Sequence, residues 1–415
     1  MKRTDTIQPA QHYMMGPESR FIPQSMPAFL AFVWVFYLLI SPFYIFESGL
    51  PQPGDMLLVV GIIPAVIIGL ISKSKRIETA MFCGASFAGL AFMVNMIYYS
   101  YYPYSETFLL TAAFYVYNFL VFYFVVFLFK RSPILMNQIT YFAVTAIILF
   151  QLFYVLFFPG SGIRHLGTFN NPNQLAYWSL LMACIIIVLK RSSSLNLLDM
   201  FLFGVLAYLQ TQSLSKAGLV TFGMLVVLMA FSPVSNRKVK SFFLLMLSVG
   251  IVVLLTAPEE VGFIARNADY IERATLRLED IGQDTDDSAD VRGYSRLIEY
   301  PGYLLTGAGE GAYERFASRR EIHSGVANLL FSYGIFGTLL FCAFLYFVFH
   351  RLPIYYGLLL LPIITYGLTH QNFRDTYFWI FLACAYSYVF FKEGDATKKK
   401  DDATHRLDYF IKPIE

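Results

Sequence analysis

Long apolar stretches separated by short polar breaks dominate the chain. Six runs lie near Met26 to Phe46, Met56 to Ile71, Ala80 to Tyr98, Phe108 to Phe129, Tyr141 to Phe158 and Gln174 to Leu189. Six more lie near Leu197 to Leu209, Gly218 to Phe231, Phe242 to Leu255, Val326 to Phe349, Tyr355 to Thr369 and Tyr377 to Phe391. A helix crosses a bilayer with about 20 apolar residues, so the pattern predicts an all-α polytopic membrane protein of about 12 transmembrane helices. The seventh and eighth runs are short, which leaves a broken or re-entrant element open there. The expected organisation is an N-terminal tail (1–25), nine spans (26–256), a long loop (257–322), three spans (323–391) and a C-terminal tail (392–415). The first tail is polar and carries Pro9, Pro17 and Pro23, so insertion is expected to begin with the first span rather than with a cleaved signal peptide.

Composition supports this reading. With 57% hydrophobic and 14% charged residues in 415, the chain has more apolar surface than one soluble core can bury. Nothing in the charge pattern points to nucleic acid. Cys83, Cys184, Cys342 and Cys384 all fall inside predicted spans and read as small core residues, neither disulfides nor metal ligands.

Charge fixes the expected orientation. Lys73, Lys75 and Arg76, then Lys130 and Arg131, Lys190 and Arg191, Arg237, Lys238 and Lys240, and Arg351 fall in alternate short loops. Lys2 and Arg3 at the start and Lys398 to Lys400 near the end share that phase. The positive-inside rule makes these loops and both termini cytoplasmic. The opposite loops carry Arg164, Lys216, Arg374 and the arginines between Arg266 and Arg320. Arginine presents a planar fork that grips phosphate or carboxylate in two-pronged fashion, although most arginines of the long loop share it with acids and read as surface charge. That loop, Ala257 to Ile322, is expected to form short helices over the membrane domain, because structureless loops of this length are uncommon.

Five outward stretches could carry chemistry. RHLGTFNNPNQLAYW (Arg164 to Trp178) reads as a turn opening a helix, and its Arg164 stands near an apolar boundary where a cation needs a partner or water. TQSLSKAGL (Thr211 to Leu219) is either a tight turn or an embedded loop presenting Lys216 to an anion. In RGYSRLIEYPGYLLTGAGEGAYERF (Arg292 to Phe316), Gly307, Gly309 and Gly311 permit close approach to a ligand or to another segment; without a preceding strand they are no nucleotide signature. DTDDSAD (Asp284 to Asp290) lacks the glycine and distal glutamate of an EF-hand loop and reads as a solvated acidic turn rather than a metal site. HSGVANLLFSYGIFG (His323 to Gly337) places a histidine, the side chain that titrates nearest neutrality, at the start of a span with small residues behind it. His165 and His370 are further outward histidines.

Together these stretches resemble the bacterial O-antigen ligase and O-antigen polymerase (Wzy-type) superfamily. His323, Ser324, Gly334 and Gly337 match its H-[NSQ]-x9-G-x-x-G pattern, and GTFNNPNQLA, with Asn171, Pro172 and Asn173, resembles its G-x-F-x-NPN segment. SLSKAG resembles its S-x-S-R-x-G segment with Lys216 in place of arginine, and EYPGYLLTGAGEGAY, with Gly307 and Gly309, resembles its P-x-x-G-x-G stretch. The likeness runs from about Arg164 to Gly337. It implies a GT-C-like membrane glycosyltransferase of the bacterial inner membrane, active at the periplasmic face. Such an enzyme moves glycan from an undecaprenyl-diphosphate donor to an acceptor sugar hydroxyl with inversion, without cofactor or metal, alongside membrane lipids and a chain-length regulator. On this resemblance His323 is the base, and Arg164, Lys216 and either Arg292 or Arg296 hold the diphosphate. A polymerase making O-antigen or exopolysaccharide is the expectation, because no feature for recognising lipid A-core is identifiable. A ligase and a lipid-linked sugar flippase are the alternatives; few ionisable residues lie inside the predicted spans, which counts against the flippase.

Overall fold

The computed structural model describes residues 25–390 except 48, 72–77, 159–163, 191–194, 233–235, 256–291 and 317–320. Both tails, Lys73 to Arg76, Arg191, Arg266 to Arg277 and Asp284 to Asp290 fall outside the described residues. No strand occurs among the described residues.

Each of the apolar runs forms helix. The first nine are α1 (Ser25–Ile40), α2 (Pro53–Ile71), α3 (Thr79–Tyr101), α4 (Thr107–Arg131), α5 (Pro133–Phe157), α6 (Pro172–Lys190), α7 (Leu197–Ser213), α8 (Lys216–Ala230) and α9 (Arg237–Leu255). In the long segment between α9 and the next apolar run stand two short helices, α10 (Ser295–Glu299) and α11 (Tyr303–Thr306), and a 3-10 turn, Tyr313–Phe316. Then come α12 (Gly325–Phe349), α13 (Ile354–Leu358), α14 (Leu360–Gly367) and α15 (Thr376–Phe390). Among the described residues, 6 helices are long and apolar enough to cross a membrane, namely α2 to α6 and α12. Shorter apolar helices accompany them at 28–40, 216–230, 354–367 and 376–390. This is the architecture of a membrane-embedded helical protein.

Burial separates the helices into centre and perimeter. From Leu175 to Leu189 every residue of α6 is buried, and so is Tyr377 to Tyr386 of α15, so these two form the centre of the bundle. A helix apolar on all sides is placed in this way. On the perimeter, Phe32 and Phe36 of α1, Ile63 and Ile67 of α2, Phe142 and Phe153 of α5 and Phe336 and Leu339 of α12 are exposed. A water-soluble monomer rarely shows so much continuous apolar surface; a lipid-facing belt does. Cys83, Cys184 and Cys384 are buried as expected, but Cys342 is exposed, because it falls on the outer face of α12 rather than on its packed face.

Breaks in the helices fall at defined residues. α7 and α8 are each continuous, joined by Leu214 in the left-handed conformation at φ 48° and by Ser215, whose hydroxyl caps α8. The eleventh run is the divided one. Proline at 362 has no N–H to offer, and its ring crowds the carbonyl four residues earlier, so α13 ends at Leu358 and α14 begins at Leu360. α12 is kinked at Gly334, where φ is 65° and ψ is −174°. The kink frees carbonyls that the straight helix would use. The Ala308 and Gly309 amides donate to them, to Phe331 O at 2.9 Å and Ser332 O at 2.8 Å. Gly307 and Gly334 are therefore small for one shared reason, while a Cβ on Gly309 would press on Phe108, Tyr98 and Asn95. A Cβ on Gly307 would come within 2.6 Å of Ser332 O, and one on Gly334 would collide with the Leu305 carbonyl. The glycine-rich loop approaches another segment of the chain, one of the two possibilities its sequence left open.

Candidate functional site

The loops of the arginine-bearing phase meet at one end of the bundle. Tyr44 N–H donates to Thr168 O at 3.1 Å, His165 N–H to Gln212 O at 2.9 Å and Gly325 N–H to His370 O at 3.0 Å. At the other end Lys130 pairs with Glu78 at 2.9 Å, and Lys190 lies over the Tyr141 ring. The end where those loops meet holds a cavity of about 620 Å³. Its walls come from the ends of α1, α2, α4, α6, α14 and α15 and from the residues just before α12.

Two kinds of group line it. One is aromatic: Tyr177 and Tyr366 are stacked with ring centres 4.7 Å apart, and Tyr366 stacks on His370 at 4.8 Å. The other is polar, with Asn171, Asn173, Gln371 and the carboxylates of Glu47, Asp55, Glu321 and Asp375. Arg374 is the lining guanidinium. It lies 2.8 Å from Glu321 and 3.1 Å from Glu310, so its charge is already matched by protein carboxylates. Those carboxylates hold the Arg374 proton more tightly than usual, against the effect of burial. Glu310 is fully buried, and burial raises its carboxyl above the usual range while Arg374 lowers it. Asp375 is pushed up to about 7 by burial, opposed by the Tyr377 and Phe378 backbone amides and helped by the Asp55 charge.

The residues singled out in the sequence are distributed around this cavity. Asn171 and Asn173 line it, and Pro172 begins α6. Arg164 stands directly behind Asn173: its Nη2 donates to Asn173 Oδ1 at 2.7 Å and its Nε to Ser213 O at 2.9 Å. The Tyr366 hydroxyl, which faces the cavity, donates to Asn173 O at 2.8 Å. Lys216 is the first residue of α8, directly after the Ser215 cap. The turn before it is buried, with Gln212, Ser213 and Ser215 at 5% exposure or less. It is thus a covered tight turn, and Lys216 itself is half-buried at its edge.

Arg292 and Arg296 are placed differently. The Arg292 guanidinium donates to the Thr369 carbonyl, one residue from His370. Arg296 is 2% exposed, with its guanidinium 5.7 Å from the Phe316 ring centre and 5.8 Å from that of Tyr313. Arg296 thus sits inside the small core under α10 and α11 and away from the cavity wall. His323 donates its backbone N–H to Arg292 O at 3.0 Å, and its side chain is exposed. The cavity is lined by Glu321 two residues earlier and not by His323. Ser324 is fully buried and caps α12, its hydroxyl accepting from Ala327 N–H at 3.2 Å and donating to Gly367 O at 3.0 Å. Gly337 packs against Leu90 of α3.

Sequence reasoning missed the carboxylates. Asp55, Glu321 and Asp375 stand in stretches with no distinctive spacing. The pair Arg374–Asp375 at the mouth of an otherwise apolar run was the available signal, because ionisable groups at a membrane boundary are costly unless they serve a purpose. No protein-family model and no curated protein sequence matches this chain.

Proposed function

We propose that the chain is a membrane glycosyltransferase of GT-C-like architecture that polymerises O-antigen or exopolysaccharide. It would take glycan from an undecaprenyl-diphosphate donor at the periplasmic face of the bacterial inner membrane and pass it, with inversion, to an acceptor sugar hydroxyl. The observation that carries the reading is the cavity of about 620 Å³ at the end of the bundle where the motif loops converge. It is lined by tyrosines, amides and carboxylates, groups that receive sugar faces and sugar hydroxyls.

Cations around it support the donor half. Arg164 donates to the lining Asn173, Arg292 to Thr369 beside the lining His370, and Lys216 opens α8 three residues after Ser213, whose carbonyl Arg164 also holds. Charge develops on the diphosphate as the glycosyl bond breaks, and fixed cations stabilise it. Lys216 at the first position of α8 adds its charge to the positive end of the helix dipole, so an anion there would meet both. Arg296, inside its aromatic core, is left out of the donor role, and of the two candidates Arg292 takes it. The six long apolar helices and the shorter ones beside them would keep the donor's lipid tail and its headgroup within reach of one surface.

The test is glycan length in cells lacking the gene, complemented with the intact protein. Single repeat units accumulating on undecaprenyl diphosphate, and relieved by complementation, are expected. Full-length glycan stranded on the carrier would mean a ligase, and unchanged glycan would overturn the proposal.

A further inference from the structure

We infer that the cavity is the site of the acceptor sugar and that the Asp375 carboxylate takes the proton of the attacking hydroxyl. The inference rests on the glycan-transfer reading above and assigns the base to a residue outside the motif segments.

Charge is the first argument. Glu47, Asp55, Glu321 and Asp375 line the cavity, and the Arg374 guanidinium beside them is shared between Glu321 and Glu310. A diphosphate entering this space would meet carboxylates at close range and little available positive charge. A neutral sugar meets acceptors for its hydroxyls and the stacked Tyr177, Tyr366 and His370 rings. Donor headgroup and acceptor therefore divide the outward end between them, the headgroup toward Arg164, Lys216 and Arg292 and the acceptor in the cavity.

Position is the second. A base must reach the proton it removes. Asp375 lines the cavity, whereas the exposed His323 does not. Asp375 is held by the start of α15: one carboxylate oxygen, Oδ1, accepts from Tyr377 N–H at 2.8 Å. An aspartate capping a helix is ordinarily a strong acid, because backbone amides and the helix dipole favour the anion. Here burial opposes both and brings the carboxyl to about 7, the range in which a base is most effective at neutral pH. The facing charges are Asp55 from α2, Glu47 from the α1–α2 loop, Glu321 ahead of α12 and Arg374 and His370 from its own loop. The phenols of Tyr44, Tyr177, Tyr366 and Tyr377 line the same cavity.

The step balances simply. The hydroxyl oxygen bonds to the anomeric carbon as its proton passes to Asp375. The bond from that carbon to the diphosphate oxygen breaks, and its electron pair leaves with undecaprenyl diphosphate. Water in the cavity then takes the proton.

The test is polymer formation by wild-type, Asp375→Asn and Asp375→Glu proteins, in complemented cells and with purified protein on lipid-linked repeat units. Asparagine caps a helix as well as aspartate does, so Asp375→Asn should keep the wild-type thermal transition while losing activity about a hundredfold or more. Asp375→Glu should recover part of it. The wild-type rate should rise as pH increases through about 7 and then level, and this profile requires no variant. Asp375→Asn polymerising at the wild-type rate, or a flat wild-type profile across that range, would overturn the inference alone. Failure of the wild-type gene itself to restore polymer would overturn the glycan-transfer reading instead.

Discussion

Arg164 shows how much of a cation's character is set by what it already holds. Its fork bridges the last carbonyl of α7 and the side chain of Asn173 on the cavity wall. Lysine supplies the same charge but cannot hold both partners in one plane. Arg164→Ala is therefore expected to reduce donor use at least tenfold, and Arg164→Lys by a smaller factor, measured as KM for the lipid-linked donor. Wild-type donor use in Arg164→Lys would remove two-pronged contact from the account. His323, exposed and bonded through its backbone to Arg292, is expected to matter less than Asp375. His323→Ala should lower polymer yield about tenfold without changing the pH midpoint near 7 that Asp375 sets. A shift of that midpoint in His323→Ala would return the proton to the histidine. Arg296 was indistinguishable from Arg292 in sequence, because both lie in one arginine-rich stretch. Only packing separates an arginine under two rings from one beside the cavity.

Helices and loops here explain each other. The GAGEG loop reads in sequence as a stretch able to approach a ligand or another segment and α12 as an uninterrupted span, yet each requires the other. The kink at Gly334 exposes carbonyls, and the loop amides at 308 and 309 satisfy them. A buried carbonyl left without a donor costs about 1–3 kcal/mol. Gly334→Ala forces a side chain into a left-handed conformation, worth about 1–3 kcal/mol of strain, and drives its Cβ into the Leu305 backbone. It should lower thermal stability in detergent clearly more than Ala at Gly250, which has open space around its Cβ. Similar transitions for the two proteins would refute the coupling. The motif glycines Gly307, Gly309 and Gly334 were legible as a pattern, but the partnership of Gly307 and Gly334 was not, since the two are separated in sequence and meet only through the fold.

Across the whole molecule, one ion cluster ties the outer loops to the bundle. Arg374 precedes α15, Glu310 lies within the glycine loop, and Glu321 precedes α12. Asn118 of α4 donates to the Arg374 carbonyl at 2.8 Å, and Asn95 of α3 accepts from Glu310 N–H at 2.8 Å. Removing one partner of a buried ion pair costs about 3–5 kcal/mol, because the other charge stays buried alone. Arg374→Met should unfold markedly earlier than wild type, and adding Glu310→Gln should recover much of that loss. A double variant no more stable than the single one would show that Glu310 is not the charge being balanced. Topology is tested at the same scale. With Cys342 replaced by serine, a cysteine at Tyr104 should react with a membrane-impermeant thiol reagent added to spheroplasts, and one at Lys238 should not. The reverse result would invert the orientation.

The apolar runs alone determined that this chain is a helical membrane protein and where its long apolar helices lie, because a bilayer imposes length and apolarity on every crossing segment whatever its neighbours are. Proline at 362 and the serine caps at 215 and 324 were equally local, acting within a turn of their own position. What only the tertiary structure decided is which helices are central and which loops enclose the cavity. It also decided that carboxylates from α2 and from the segments before α12 and α15 face one space. Those residues are brought together by contacts between segments far apart in the chain, and no spacing within any one segment encodes them.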